Sequence, residues 1–173
     1  AVFSVPDNPL LRFAVPDDTV FAERIDRVDD VLPSANATMA SNLHLLGAMF
    51  ALPEWMERAE AMVHAASAGF SELPSACMWA RAAGQIQAPF LEVVVAGPSE
   101  AVHAALPAIR RAIGSSGFAV PLTAPEDGIP LLAHRFVPNA LRIHPCSAGA
   151  CRLPFDAVGP AVDHIESLLA QRS

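Results

Sequence analysis

Residues 91–122 read LEVVVAGPSEAVHAALPAIRRAIGSSGFAVPL, and the fold follows from this stretch. LEVVVA (91–96) is a short valine-rich run of the kind that forms a strand buried on both faces. Gly97-Pro98-Ser99 stops it. Over 99–113 the apolar residues Val102, Leu106, Ile109 and Ile113 recur at helical spacing, with Gly114 just past the end. FAVPL (118–122) returns to strand character. A strand, a helix and a strand in so short a span make a βαβ unit, so the two strands are expected to be parallel with a right-handed crossover.

On the C-terminal side, a loop rich in Pro, Asp and Gly leads to ALRIHP (140–145), a third strand, and to a last helix through Pro160, Val162, Ile165 and Leu169. On the N-terminal side, residues 1–33 mix prolines and aspartates with short apolar runs such as AVFSV, which suits irregular or hairpin structure. From Ala37 the residues Met39, Leu43, Leu46 and Phe50 fall on one face of a helix, with Ser34 or Asn36 as its N-cap. Pro53 opens a second helix that turns Met56, Ala59, Val63 and Ala66 inward and ends near Gly69. A third follows Pro74 with Trp79, Ala83 and Ile86 on one stripe. The expected chain is mainly α with a small α/β part: a helical region over 1–90 and an α/β subdomain over 91–173.

Composition limits what such a chain does. At 173 residues and 18.2 kDa there is room for one domain of ordinary size, and 53% hydrophobic residues with a mean hydropathy of +0.36 exclude a disordered chain. The net charge is −7, there is no lysine, and the arginines are scattered except for Arg110-Arg111. Nucleic-acid binding needs a clustered basic footprint and is not expected. Nor is a membrane span or a signal peptide, since no apolar run reaches the length of a span and no basic stretch precedes an apolar core. The expected location is cytoplasmic. Ala1 opens directly onto a strand-like run, so the chain is expected to be a piece of something longer.

Several motifs bear on chemistry. The Gly97-Pro98-Ser99 turn has neither GxGxxG nor a Walker lysine and reads as an ordinary βα turn. The six histidines form neither HxxxH nor HExxH, and no metal is expected. Cys146 and Cys151 stand in CSAGAC, a spacing that departs from the CxxC of redox pairs. The favoured expectation is two packing thiols too buried or too far apart to bridge; a redox role would instead need sulfurs close together near the surface beside a cation such as Arg142 or Arg152. The most polar stretch is ERIDRVDDVLPSANATMASNL (23–43). Its Arg24, Asp26, Arg27, Asp29 and Asp30 crowd before Pro33-Ser34-Ala35-Asn36 and a helix N-terminus, either as a pocket for hydroxyls or as a capping cluster with solvated charges.

DDVLPSANATMASNL, PFLEVVVAGPSEAV, IPLLAHR and CSAGACRLP, in that order, resemble the C-terminal portion of the thioredoxin-domain-containing family related to spermatogenesis-associated protein. Proteins of that family join a thioredoxin-like domain to a helical toroid similar to N-acylglucosamine 2-epimerases and six-hairpin glycosidases. The resemblance covers nearly the whole of this chain, and Ala37 departs from it by replacing a small hydroxyl residue. It implies a fragment of an (α/α)6 toroid followed by the βαβ unit, with the rest of the same polypeptide or a complementary chain completing the ring. It also implies Asp26 and Asp29 as acid and base on a small carbohydrate, Arg24, Ser34 and Asn36 as its ligands, and no cofactor. Cys146, Cys151 and Pro154 match the family as well, and a thioredoxin-like domain is the implied redox partner. The competing expectation is a non-catalytic scaffold whose cysteine pair is redox-linked or purely structural.

Overall fold

The computed structural model describes residues 2–14, 24–67, 76–87, 90–147 and 150–171. Ala1, Gly69 and Pro74, which bear on the expected chain start and helix limits, lie outside them. The chain is mixed α/β and divides into two compact units, Ala1–Gly47 with Leu52–Gln87 and Ala48–Ala51 with Ala88–Ser173. No helix among the described residues is long and apolar enough to cross a membrane.

The first unit opens with a hairpin of β1 (Ser4–Val5) and β2 (Asn8–Leu11), whose turn carries Asp7 at a φ of 54°. Three helices follow: α1 (Ala35–Phe50), which belongs to this unit as far as Gly47, α2 (Pro53–Ser67) and α3 (Cys77–Gln87). Leu10, Ala37, Ala40, Met62, Ala66 and Trp79 form its core. The buried face of α1 is Asn36, Ala37, Ala40, His44 and Gly47. This corrects the expected face, because Met39 and Phe50 are exposed and Leu43 and Leu46 only half-buried. The reason is steric: α1 carries apolar side chains on more than one face, and small residues admit the closest packing. At Gly47 an added Cβ would lie 2.7 Å from the Met56 side chain of α2.

In the second unit β3 (Leu91–Ala96) lies between β4 (Gly117–Leu122), parallel to it, and β5 (Arg142–Ser147), antiparallel to it; β6 (Ala150–Cys151) folds back on β5. The two strands of the expected βαβ unit are parallel, with α4 (Ser99–Ile113) between them in the chain, and α5 (Val158–Ala170) follows β6. All six β3 residues are buried. Its odd-numbered residues Leu91, Val93 and Val95 join Val102, Leu106, Ile109 and Ile113 of α4 and Ile165 of α5 in one core. Val94 and Ala96 face the other way and meet Leu122, Cys146 and the loop residues Leu131 and Leu132. Gly97 ends β3 at a φ of 138°, where a Cβ would run into the Ala140 carbonyl. Gly114, at a φ of 58°, closes α4 by donating its N–H to Arg110.

Candidate functional site

The polar stretch of the first unit is knitted together by hydrogen bonds. Ser34 is the N-cap of α1: its Oγ accepts the Ala37 N–H at 3.3 Å. Asp29 accepts the Ser34 N–H at 2.9 Å through Oδ1 and the Met78 N–H at 2.7 Å through Oδ2, so one carboxylate ties the approach to α1 to the first turn of α3. Asn36 is buried. Its Oδ1 accepts the Leu11 N–H at 2.7 Å, while its Nδ2 donates to the Leu11 and Asp26 carbonyls at 2.9 and 2.8 Å. The amide side chain therefore extends the edge of β2 as a further strand would.

One cleft adjoins this cluster, with a volume of about 240 Å³. Phe3, Arg12, Phe13, Asp26, Asn36 and Met39 line it. Of the five expected site residues the structure brings Asp26 and Asn36 to this cleft; Asp29 and Ser34 are engaged in capping and are not part of its wall. The Arg24 guanidinium lies over the Phe13 ring, 5.5 Å from its centroid.

The second cluster is on the sheet face that α4 and α5 do not cover. Cys146 and Cys151 stand opposite each other in the β5–β6 hairpin, 4.0 Å apart at Cα, and are joined in a disulfide. The expected pair of unbridged thiols is thus corrected, because the chain turns back on itself within CSAGAC and makes the two residues direct cross-strand neighbours. The two sulfurs differ in access: Cys146 is 2% exposed, whereas Cys151 is open to solvent. Both accept from one side chain. Arg135, in the loop before β5, directs Nη1 to Cys146 Sγ and Nη2 to Cys151 Sγ, each at 2.9 Å. Arg142, named as a neighbour by the redox expectation, pairs instead with Asp156 at 3.3 Å.

Two further groups of this face were missed in the sequence. Glu92 is the cross-strand partner of Cys146 between β3 and β5 and is 5% exposed. Burial pushes its carboxyl above the usual range and the positive charge of Arg135 pulls it back down. His144, two residues before Cys146 and on the same side of β5, is held down to about 4 by burial and by Arg135 and Arg142. Its Nε2 is buried without a hydrogen-bond partner. A signal was present for both: a carboxylate inside the apolar run LEVVVA, and a histidine at period two from a cysteine.

Among the described residues no group of three or more His, Cys, Asp or Glu is arranged to hold a metal ion. Comparison with family models, with curated proteins and with solved structures returns no match to this chain.

Proposed function

We propose that the second unit carries a thiol–disulfide exchange centre whose partner is a dithiol protein of the thioredoxin-like class. The observation that carries this reading is the Arg135 fork on an asymmetrically exposed disulfide. An incoming thiolate reaches Cys151, the S–S bond breaks, and its electron pair leaves on Cys146 as a thiolate that the guanidinium already faces. The partner's second thiolate then attacks its own sulfur in the mixed disulfide and releases Cys151. One dithiol is oxidised and one disulfide reduced. A purely structural staple is a weaker explanation, since a bridge over a sequence separation of 5 closes a loop that strand pairing already closes, and chain-entropy arguments allow it about 2 kcal/mol at most. A reducing cytoplasmic setting suits such a centre.

The test uses a thioredoxin that lacks its second cysteine, which traps the mixed disulfide. The expected adduct maps to Cys151; absence of any adduct, or an adduct on Cys146, contradicts the proposal.

A second reading draws on the cleft of the first unit. Aromatic rings, a carboxylate and a guanidinium around about 240 Å³ are groups that hold a small carbohydrate, and Asp26 is the carboxylate there. In that reading α1, α2 and α3 are the closing helices of an (α/α)6 toroid. The rest of the same polypeptide, or a complementary chain, packs on apolar side chains such as Val31 and Leu32, which are 93% and 76% exposed. Calorimetry against a panel of monosaccharides, with Asp26→Asn as control, decides it: heat lost in the variant supports the cleft, and no heat with either removes it.

A further inference from the structure

We infer that Glu92 is the proton carrier of the exchange centre, delivering a proton to Cys146 when the disulfide opens and taking it back when the disulfide closes. This rests on the reading of Cys146–Cys151 as an exchange centre and adds a residue that the reading does not require.

Glu92 and Cys146 are direct partners in the antiparallel β3–β5 pair, so their side chains leave the sheet on the same face with Cβ atoms about 5 Å apart. Neither reaches bulk water freely, at 5% and 2% exposure. Opening the disulfide leaves a negative charge on Cys146 in a place where solvent cannot quench it. Cys151 is different, since it is exposed and exchanges its proton with water directly. The buried sulfur needs an internal donor, and the groups on its face are few. Arg135 donates hydrogen bonds to both sulfurs but does not give up its proton in a protein. His144 is neutral down to acid pH, and Arg142 is engaged with Asp156. Glu92 remains. Its charged neighbour is Arg135, the same side chain that faces both sulfurs. Burial pushes its carboxyl above the ordinary range, which favours the protonated form that can donate, and the Arg135 charge draws it back down.

Thiolate attack on Cys151 breaks the S–S bond and leaves Cys146 as thiolate. The Glu92 carboxylic acid transfers its proton to Cys146 Sγ and becomes a carboxylate facing the Arg135 charge. In the reverse direction the Glu92 carboxylate removes the Cys146 proton, and the thiolate so formed attacks Cys151 in the mixed disulfide and expels the partner's thiolate.

The test is the rate of reduction of the folded, oxidised protein by dithiothreitol between about pH 5 and pH 9, each rate divided by the concentration of dithiothreitol thiolate. In the wild type the normalised rate is expected to fall by about threefold or more as pH rises through the Glu92 range, because the acid form is lost. Glu92→Gln is expected to give a flat profile and Glu92→Asp to restore part of the slope. Far-ultraviolet circular dichroism confirms that each variant is folded. A flat wild-type profile overturns the inference with no variant needed, and so does an unchanged slope in folded Glu92→Gln; both leave the exchange centre standing. A disulfide that dithiothreitol does not open in the folded wild type overturns the centre and the proton carrier together.

Discussion

His144 stays uncharged far below the ordinary histidine range, since burial and two neighbouring guanidinium groups hold it down to about 4. An unfolded chain has no such environment, and there its imidazole takes a proton near the ordinary value of 6.5. Between those limits the unfolded state binds the proton that the folded state refuses, so stability falls as pH drops through the window from 6.5 to about 4. For a half-buried group the effect is on the order of 2 kcal/mol after solvent screening. His44, also lowered by burial, adds a loss of the same sign. Thermal unfolding followed across this window should show a shallower decline for His144→Leu than for the wild type; equal slopes would mean that His144 is not the titrating group. Glu92 has the opposite sign. Its folded carboxyl range is raised, so its contribution is present in acid and lost as pH rises through that range. Glu92→Gln should therefore unfold at a higher temperature than the wild type at neutral pH, with the gap closing in acid. A stabilising variant that damages turnover is the pattern of a group kept for chemistry rather than for the fold.

At the scale of elements, Asp29 holds two helix ends together, one oxygen on the N–H of Ser34 and the other on that of Met78, 49 residues away. Both are charge-assisted bonds to backbone donors at helix N-termini. Asp29→Ala should cost about 2–3 kcal/mol, seen as a lower urea midpoint. A carboxylate that served only a substrate would leave the midpoint where it is. The same elements explain what the sequence revealed. α4 was legible because it has one apolar stripe, and Val102, Leu106, Ile109 and Ile113 are all buried on it. β3 was legible because a central strand between two neighbours must be apolar on both faces. α1 misled because its larger apolar residues lie on the looser side, while Ala37, Ala40 and Gly47 make the close contact. The β5–β6 hairpin escaped notice since β6 has two residues, too few to show alternation. Arg135 was invisible for a different reason: it is 11 and 16 residues from the two sulfurs it contacts, across a loop that no periodicity spans.

Over the whole molecule the two clusters of interest fall in different units. The cleft with Asp26 and Asn36 belongs to the first, and the disulfide with Arg135 and Glu92 belongs wholly to the second. The exchange centre thus needs no residue of the first unit, and thiols alone report on it. The chain has three cysteines, of which Cys77 is exposed and outside the disulfide. Brief treatment of the folded protein with dithiothreitol, acid quenching, unfolding and labelling with a maleimide turns the state of the bridge into a mass. One label marks a closed bridge and three an open one. The expected result is one label before reduction and three after it, with the fold intact throughout by circular dichroism. One label both before and after, rising to three only when denaturant is present during reduction, would contradict it and leave Cys146–Cys151 as a structural link.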